Sequence, residues 1–200
     1  MLHHSAYGRA FEALTVAVVD NRQPMLAMMR AMLAAIGVGR IETYAGPADA
    51  LKAMSSSEPD LVIAAAAMEP LTGPELVRTM RHVDAGPLRF IPAMIMSTPT
   101  KPRLLDEALR AGAHQVLELP IAASTLCRRL DWLINDDRPY ELRGGHYVVA
   151  GLEERLAMRF ERSAHAPIQL PESSPLAGGA PDDVVVEAMP FPLKVRAAAS

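Results

Sequence analysis

The chain has one cysteine, Cys127, so no internal disulfide can staple its fold, and a reducing compartment is expected. Aromatic residues are scarce, with a single tryptophan among 200 residues, which leaves Leu, Ile, Val, Ala and Met to build the core. No run approaches the roughly 20 apolar residues that cross a bilayer as a helix, so membrane insertion is not expected. There is no basic run, and a formal net charge of −3 leaves no electrostatic footprint for nucleic acid. The first residues, MLHHSAYGRAFEA, lack the basic-then-apolar order of a secretory leader. These absences together predict a cytoplasmic protein.

Half of the residues are apolar and 22% are charged, the balance of an ordinary globular chain. Two hundred residues suffice for one good core and a tail. LTVAVVD (14–20) is a short β-branched run ending in an acid and predicts a strand buried on both faces. NRQPMLAMMRAMLAAIG follows, with Pro24 suited to a first helical turn, Met25, Met29, Met32 and Ile36 at helical spacing, and Gly37 as the stop. RIETYA (40–45), DLVIAAAA (60–67), FIPAMIMS (90–97) and HQVLEL (114–119) predict four more strands. Helices are predicted over 47–55, after Thr72 as a cap, from Pro102 to Ala111, and over 121–135. Strands alternating with helices imply a five-stranded, doubly wound parallel sheet with a C-terminal extension.

The predicted division is a flexible N-terminus (1–11), the α/β domain (12–136), an extension (137–164) and a mostly disordered tail (165–200). In the extension, RPYELRGGHYVV (138–149) carries a hairpin signal at Gly144-Gly145, and 152–164 has the pattern of a charged amphipathic helix. The tail is rich in Pro, Ser, Gly and Ala, and only DDVVVEAM (182–189) has strand character. Ligands in such sheets bind beyond the carboxyl ends of the strands. The residues there are Asp20, Asn21, Ala65, Ser97 and Leu119.

Residues 61–81, LVIAAAAMEPLTGPELVRTMR, resemble the third strand, loop and third helix of bacterial response-regulator receiver domains. VAVVDN (16–21), IPAMIMST (91–98) and EALRAGAHQVLELP (107–120) resemble the first strand, the fourth strand, and the fourth helix with the fifth strand. The resemblance covers roughly residues 12–136 and implies a flavodoxin-like receiver fold.

It also implies a pocket in which a third-strand aspartate accepts a phosphoryl group and shares magnesium with an acidic pair. Here the acceptor position is Ala65, the acidic pair is Asp20 and Asn21, and the lysine position is Leu119, before Pro120. Ser97 keeps the switch hydroxyl, and Val116 takes the aromatic switch position. Alanine has no nucleophilic oxygen, one carboxylate and an amide hold magnesium poorly, and leucine offers no cation to the transferring group. The reading is therefore a receiver-like protein-binding module with no catalytic residue, metal or cofactor.

Its implied partner is a sensor kinase, another regulator or a motor component. The implied contact surfaces are the first helix and the face of the fourth helix, fifth strand and fifth helix. Met28, Arg128 and Arg129 are the candidate contact residues. Two alternatives stay open: a receptor for a small anionic messenger such as a cyclic dinucleotide, gripped by Arg128, Arg129, Arg138 and Arg143, and a conventional phosphorelay regulator. Oligomeric state is not specified. Asp20 has a second reading as a cap for the first helix.

Overall fold

Short β-branched and aliphatic runs form the strands β1 (Thr15–Val19), β2 (Arg40–Tyr44), β3 (Leu61–Ala65), β4 (Ala93–Ser97) and β5 (Gln115–Glu118) of a computed structural model. The structure describes residues 4–98 and 102–151. The strands make one parallel sheet in the order β2-β1-β3-β4-β5. β3 and β4 lie inside the sheet and are buried at every position, whereas β2 at the edge is only half-buried. That difference is why the central strands read as unbroken apolar runs and the edge strand alternates.

Five helices connect and follow the strands: α1 (Gln23–Ile36), α2 (Pro47–Met54), α3 (Gly73–Met80), α4 (Pro102–Arg110) and α5 (Ala123–Ile134). α1 buries Leu26, Met29 and Leu33 and ends at Gly37 in the left-handed conformation. Thr72 caps α3 as the sequence predicts, and Glu75 completes a capping box with it. α5 buries Leu126, Leu130, Leu133 and Ile134.

After α5 the chain forms an antiparallel hairpin, β6 (Tyr140–Arg143) and β7 (His146–Val149), turning at Gly144-Gly145. The hairpin docks at the amino ends of the strands. The Tyr147 N–H donates to the Arg81 carbonyl at 2.8 Å, and the Val83 N–H donates to the Gly145 carbonyl at 3.1 Å. Arg81 itself is fully buried beneath it. Its Nε donates to the Gly112 carbonyl at 3.1 Å and one terminal nitrogen to the Leu88 and Arg89 carbonyls, while its guanidinium lies 5.0 Å from the Tyr140 ring centre. Gly112 has φ of 94°, and a Cβ there would meet Arg81 Cγ at 2.8 Å, so both backbone and space demand glycine. Burial lowers the Arg81 guanidinium from its ordinary value and pushes the Tyr140 phenol up to about 12.

The first residues differ from expectation. Residues 4–11, read from sequence as part of a flexible arm, pack against this same end of the sheet. The buried His4 pairs through Nε2 with the Leu133 carbonyl at 2.9 Å and stacks edge-on to His114 at 5.5 Å. The Gly8 N–H donates to the Ile134 carbonyl at 2.8 Å, and Arg9 forms an ion pair with Asp60. The cause is long-range: a buried carbonyl and a buried carboxylate far along the chain need donors. The domain thus begins before residue 12, and the hairpin packs on it rather than forming a separate unit. The helix predicted over 152–164 and the tail from 165, with its strand-like 182–189, lie outside the described residues.

Candidate functional site

The crossovers bring Asp20, Ala65, Ser97 and Leu119 together at the carboxyl ends of β1, β3, β4 and β5. The register fixes their neighbours: Val19 pairs with Ala64, Ala65 with Met96, and Ser97 with Glu118. The Leu119 N–H donates to the Ser97 carbonyl at 2.8 Å. Ala65 is buried and presents a methyl group at the end of β3. The chain turns back over it so closely that a Cβ at Gly73 would meet the Ala65 carbonyl oxygen at 2.4 Å. Glycine is required there by close approach, and its N–H donates to the Ala66 carbonyl at 3.0 Å.

Asp20 is fully buried, and Arg22 takes both of its oxygens. Oδ1 accepts from the Arg22 backbone N–H at 2.8 Å and from Nε at 3.0 Å, and Oδ2 accepts from a terminal guanidinium nitrogen at 2.8 Å. This is a charge-assisted bidentate pair, the strongest kind of side-chain hydrogen bonding. Hydrogen bonding to Asp20, reinforced by its charge, raises the Arg22 guanidinium above its ordinary value against the opposing effect of burial. The capping reading of Asp20 needs correction. The carboxylate bonds the N–H of Arg22, which precedes the helix, and no side chain caps α1 at that position.

Asn21 is exposed. Leu119 and Met68 are buried in the main core cluster, Val116 is half-buried, and Pro120 is exposed. These residues do not fit a magnesium ion. Ala65 offers no side-chain oxygen, the Asp20 oxygens are engaged by an arginine, and Leu119 follows the fifth strand. Among the described residues no group of three or more His, Cys, Asp or Glu side chains is placed to hold a metal.

The candidate contact residues lie elsewhere on the surface. Met28 is exposed on α1, and Arg128 and Arg129 are exposed on the adjacent α5. A groove of 330 Å³ on the α4–β5–α5 face is lined by Leu105, Val116, Ile121 and Arg129 among others. A larger groove of 730 Å³ lies between α2, α3 and the hairpin. Of the four arginines considered for an anionic ligand, Arg138 is held by Asp136 and Arg143 by Glu141, so the structure divides the set. Sequence reasoning passed over two features. Arg22 gave a signal, an arginine two residues after a strand-end acid. Trp132 is exposed on α5 with Arg138 stacked on it at 5.1 Å.

The family follows from this fold and sequence. Residues 16–131, more than half of the chain, match the Response regulator receiver domain family, and the chain belongs to it. It is 25% identical over 125 residues to the Sensory/regulatory protein RpfC of Xanthomonas campestris pv. campestris, a match that covers 62% of this chain and 17% of that protein. The chain therefore spans a small part of the curated relatives it matches. Among solved structures it is similar to the chemotaxis protein CheY4 of Vibrio cholerae, with 26% identity, a TM-score of 0.55, and coverage of 60% of this chain and 98% of that one. It also resembles the receiver domain of the sensor histidine kinase PA1611 of Pseudomonas aeruginosa PAO1, with 20% identity, a TM-score of 0.56, and coverage of 62% and 98%. The protein is a receiver-domain protein of two-component signalling. No helix among the described residues is long and apolar enough to cross a membrane.

Proposed function

We propose that this receiver works without phosphorylation, as a protein-binding module of a bacterial two-component or phosphorelay pathway in the cytoplasm. The observation that carries the reading is the Asp20–Arg22 pair beside Ala65. The carboxylate that would face magnesium already holds a cation from its own chain. The acceptor position carries no side-chain oxygen, and the position of the phosphoryl-binding lysine carries a buried leucine. These changes support one another. Carboxylates about 4 Å apart repel by roughly 4 kcal/mol at an effective dielectric near 20; here one carboxylate remains, and an arginine neutralises it.

The module signals by docking. Met28 on α1, and the α4–β5–α5 face that includes Arg129, are the surfaces for a sensor kinase, another regulator or a motor component. The cyclic-dinucleotide alternative gains no support, because two of its four arginines already have carboxylate partners. The reading predicts that magnesium leaves the melting temperature unchanged. A rise that grows with magnesium concentration, as ligand linkage demands, contradicts it.

A further inference from the structure

We infer that the buried pair His4 and His114 is an acid-operated latch, in which proton uptake releases the N-terminal arm, residues 4–9, from the amino end of the sheet. Both side chains are buried, and their rings meet edge-on at 5.5 Å. His4 lies on the arm, whereas His114 lies immediately before β5. The contact therefore joins the two parts that separate.

The hydrogen bonds define the protonation state of the docked arm. His114 Nδ1 accepts the Ala93 N–H at 3.4 Å, so that nitrogen carries no proton. An imidazolium has no lone pair for this bond. His4 Nε2 donates to the Leu133 carbonyl at 2.9 Å. A second proton on His4 places a buried charge beside the His114 ring, and burial disfavours the charged form.

The surroundings add to that cost. Tyr7 on the arm meets the His4 ring at 6.1 Å, and Tyr140 on the hairpin meets the His114 ring at 5.6 Å. A phenol supplies no negative charge below neutral pH. Beyond Tyr140 lies the Arg81 guanidinium, 5.0 Å from its ring centre, and Arg89 over Phe90 is a second cation at this end. Both arginines are bonded to backbone carbonyls. The two buried acids here, Asp60 and Asp136, are already committed to Arg9 and Arg138. An added imidazolium thus meets like charge, with the neighbouring carboxylates taken. The other histidine pair, His82 and His146, sits between the end of α3 and the hairpin and holds no part of the arm.

The sign of the pH effect follows. Lifting the arm exposes both rings to water, where an imidazole titrates near about 6.5. Below that value the released state binds more protons than the docked state, so docking is complete above it and weakens as pH falls. Between about pH 7.5 and about pH 5.5, each ring raises the opening constant about tenfold, and the two together about a hundredfold. The inference stands apart from the pocket reading, because it uses none of the residues at the carboxyl ends of the strands.

The test is amide hydrogen exchange on the full chain, corrected for the intrinsic effect of pH on exchange. The reporters are the Ser5 and Gly8 N–H groups, which donate to the Phe90 and Ile134 carbonyls at 3.3 and 2.8 Å. The β1 and β3 amides are the control and keep their protection. In the unaltered protein the arm reporters lose protection about a hundredfold over this range. His4→Gln and His114→Gln each keep a hydrogen-bonding amide but do not titrate; either reduces the response to about tenfold, and the double variant removes it. A second measurement needs no substitution: the imidazole carbon shifts of His4 and His114 titrate in step with loss of Gly8 protection. An opening constant that does not rise with acid overturns the inference. So does a response that persists in the double variant, or titration of both rings while Gly8 stays protected.

Discussion

Arg81→Ala destabilises the domain by about 3–5 kcal/mol, the range seen when a buried hydrogen-bonded charge is removed from partners that stay buried. The side chain is fully buried and bridges four parts of the chain: the end of α3, the turn at Leu88 and Arg89, the loop at Gly112, and the hairpin through Tyr140. Truncation leaves the carbonyls it serves without that donor and opens a cavity between the sheet and the hairpin. Loss of a charge alone does not explain such a cost. The control is Arg78→Ala on the exposed face of α3, where a change within about 0.5 kcal/mol is expected. Urea denaturation of both variants measures the difference. Equal midpoints would mean that the hairpin is not anchored by this residue.

Ala65→Asp alone acquires no phosphoryl group from acetyl phosphate and magnesium. The new carboxylate supplies a nucleophile, but Asp20 stays paired with Arg22, Asn21 adds no second acid, and Leu119 adds no cation. Restoring the rest needs Asn21→Asp, Leu119→Lys and Arg22→Ala in the same chain. Removing a single donor to a developing charge costs roughly 10²–10³ in rate. Labelling of Ala65→Asp therefore lies at least about two orders of magnitude below that of the four-substitution variant. Intact mass read over time distinguishes the two. Efficient, magnesium-dependent labelling of the single variant contradicts the view that the pocket has lost several parts together.

The sheet and its helices were legible in the sequence because each depends on local pattern. β3 and β4 are buried on both faces and so appear as unbroken apolar runs. α3 announces itself through Thr72, Pro74 and Glu75. The hairpin follows from Gly144-Gly145, where two consecutive residues take positive φ. The strand-end residues of the pocket were legible because alternating topology fixes where strands end.

What escaped depends on partners distant in sequence. Arg81 sits at the end of an amphipathic helix and reads as a solvated charge; the turn at Leu88 and Arg89, the loop at Gly112 and the hairpin together bury it. His4 and Arg9 read as a loose arm, and the acceptors that fix them, the Leu133 carbonyl and Asp60, lie far along the chain. Arg22 is the intermediate case. Its distance from Asp20 in sequence is short, yet nothing local distinguishes an arginine that returns to a buried acid from one that points into water.

The central claim is that this receiver accepts no phosphoryl group, and the most direct measurement is the intact mass of the unaltered protein after incubation with acetyl phosphate and magnesium. The account predicts an unchanged mass. A stable, magnesium-dependent gain of one phosphoryl group contradicts it.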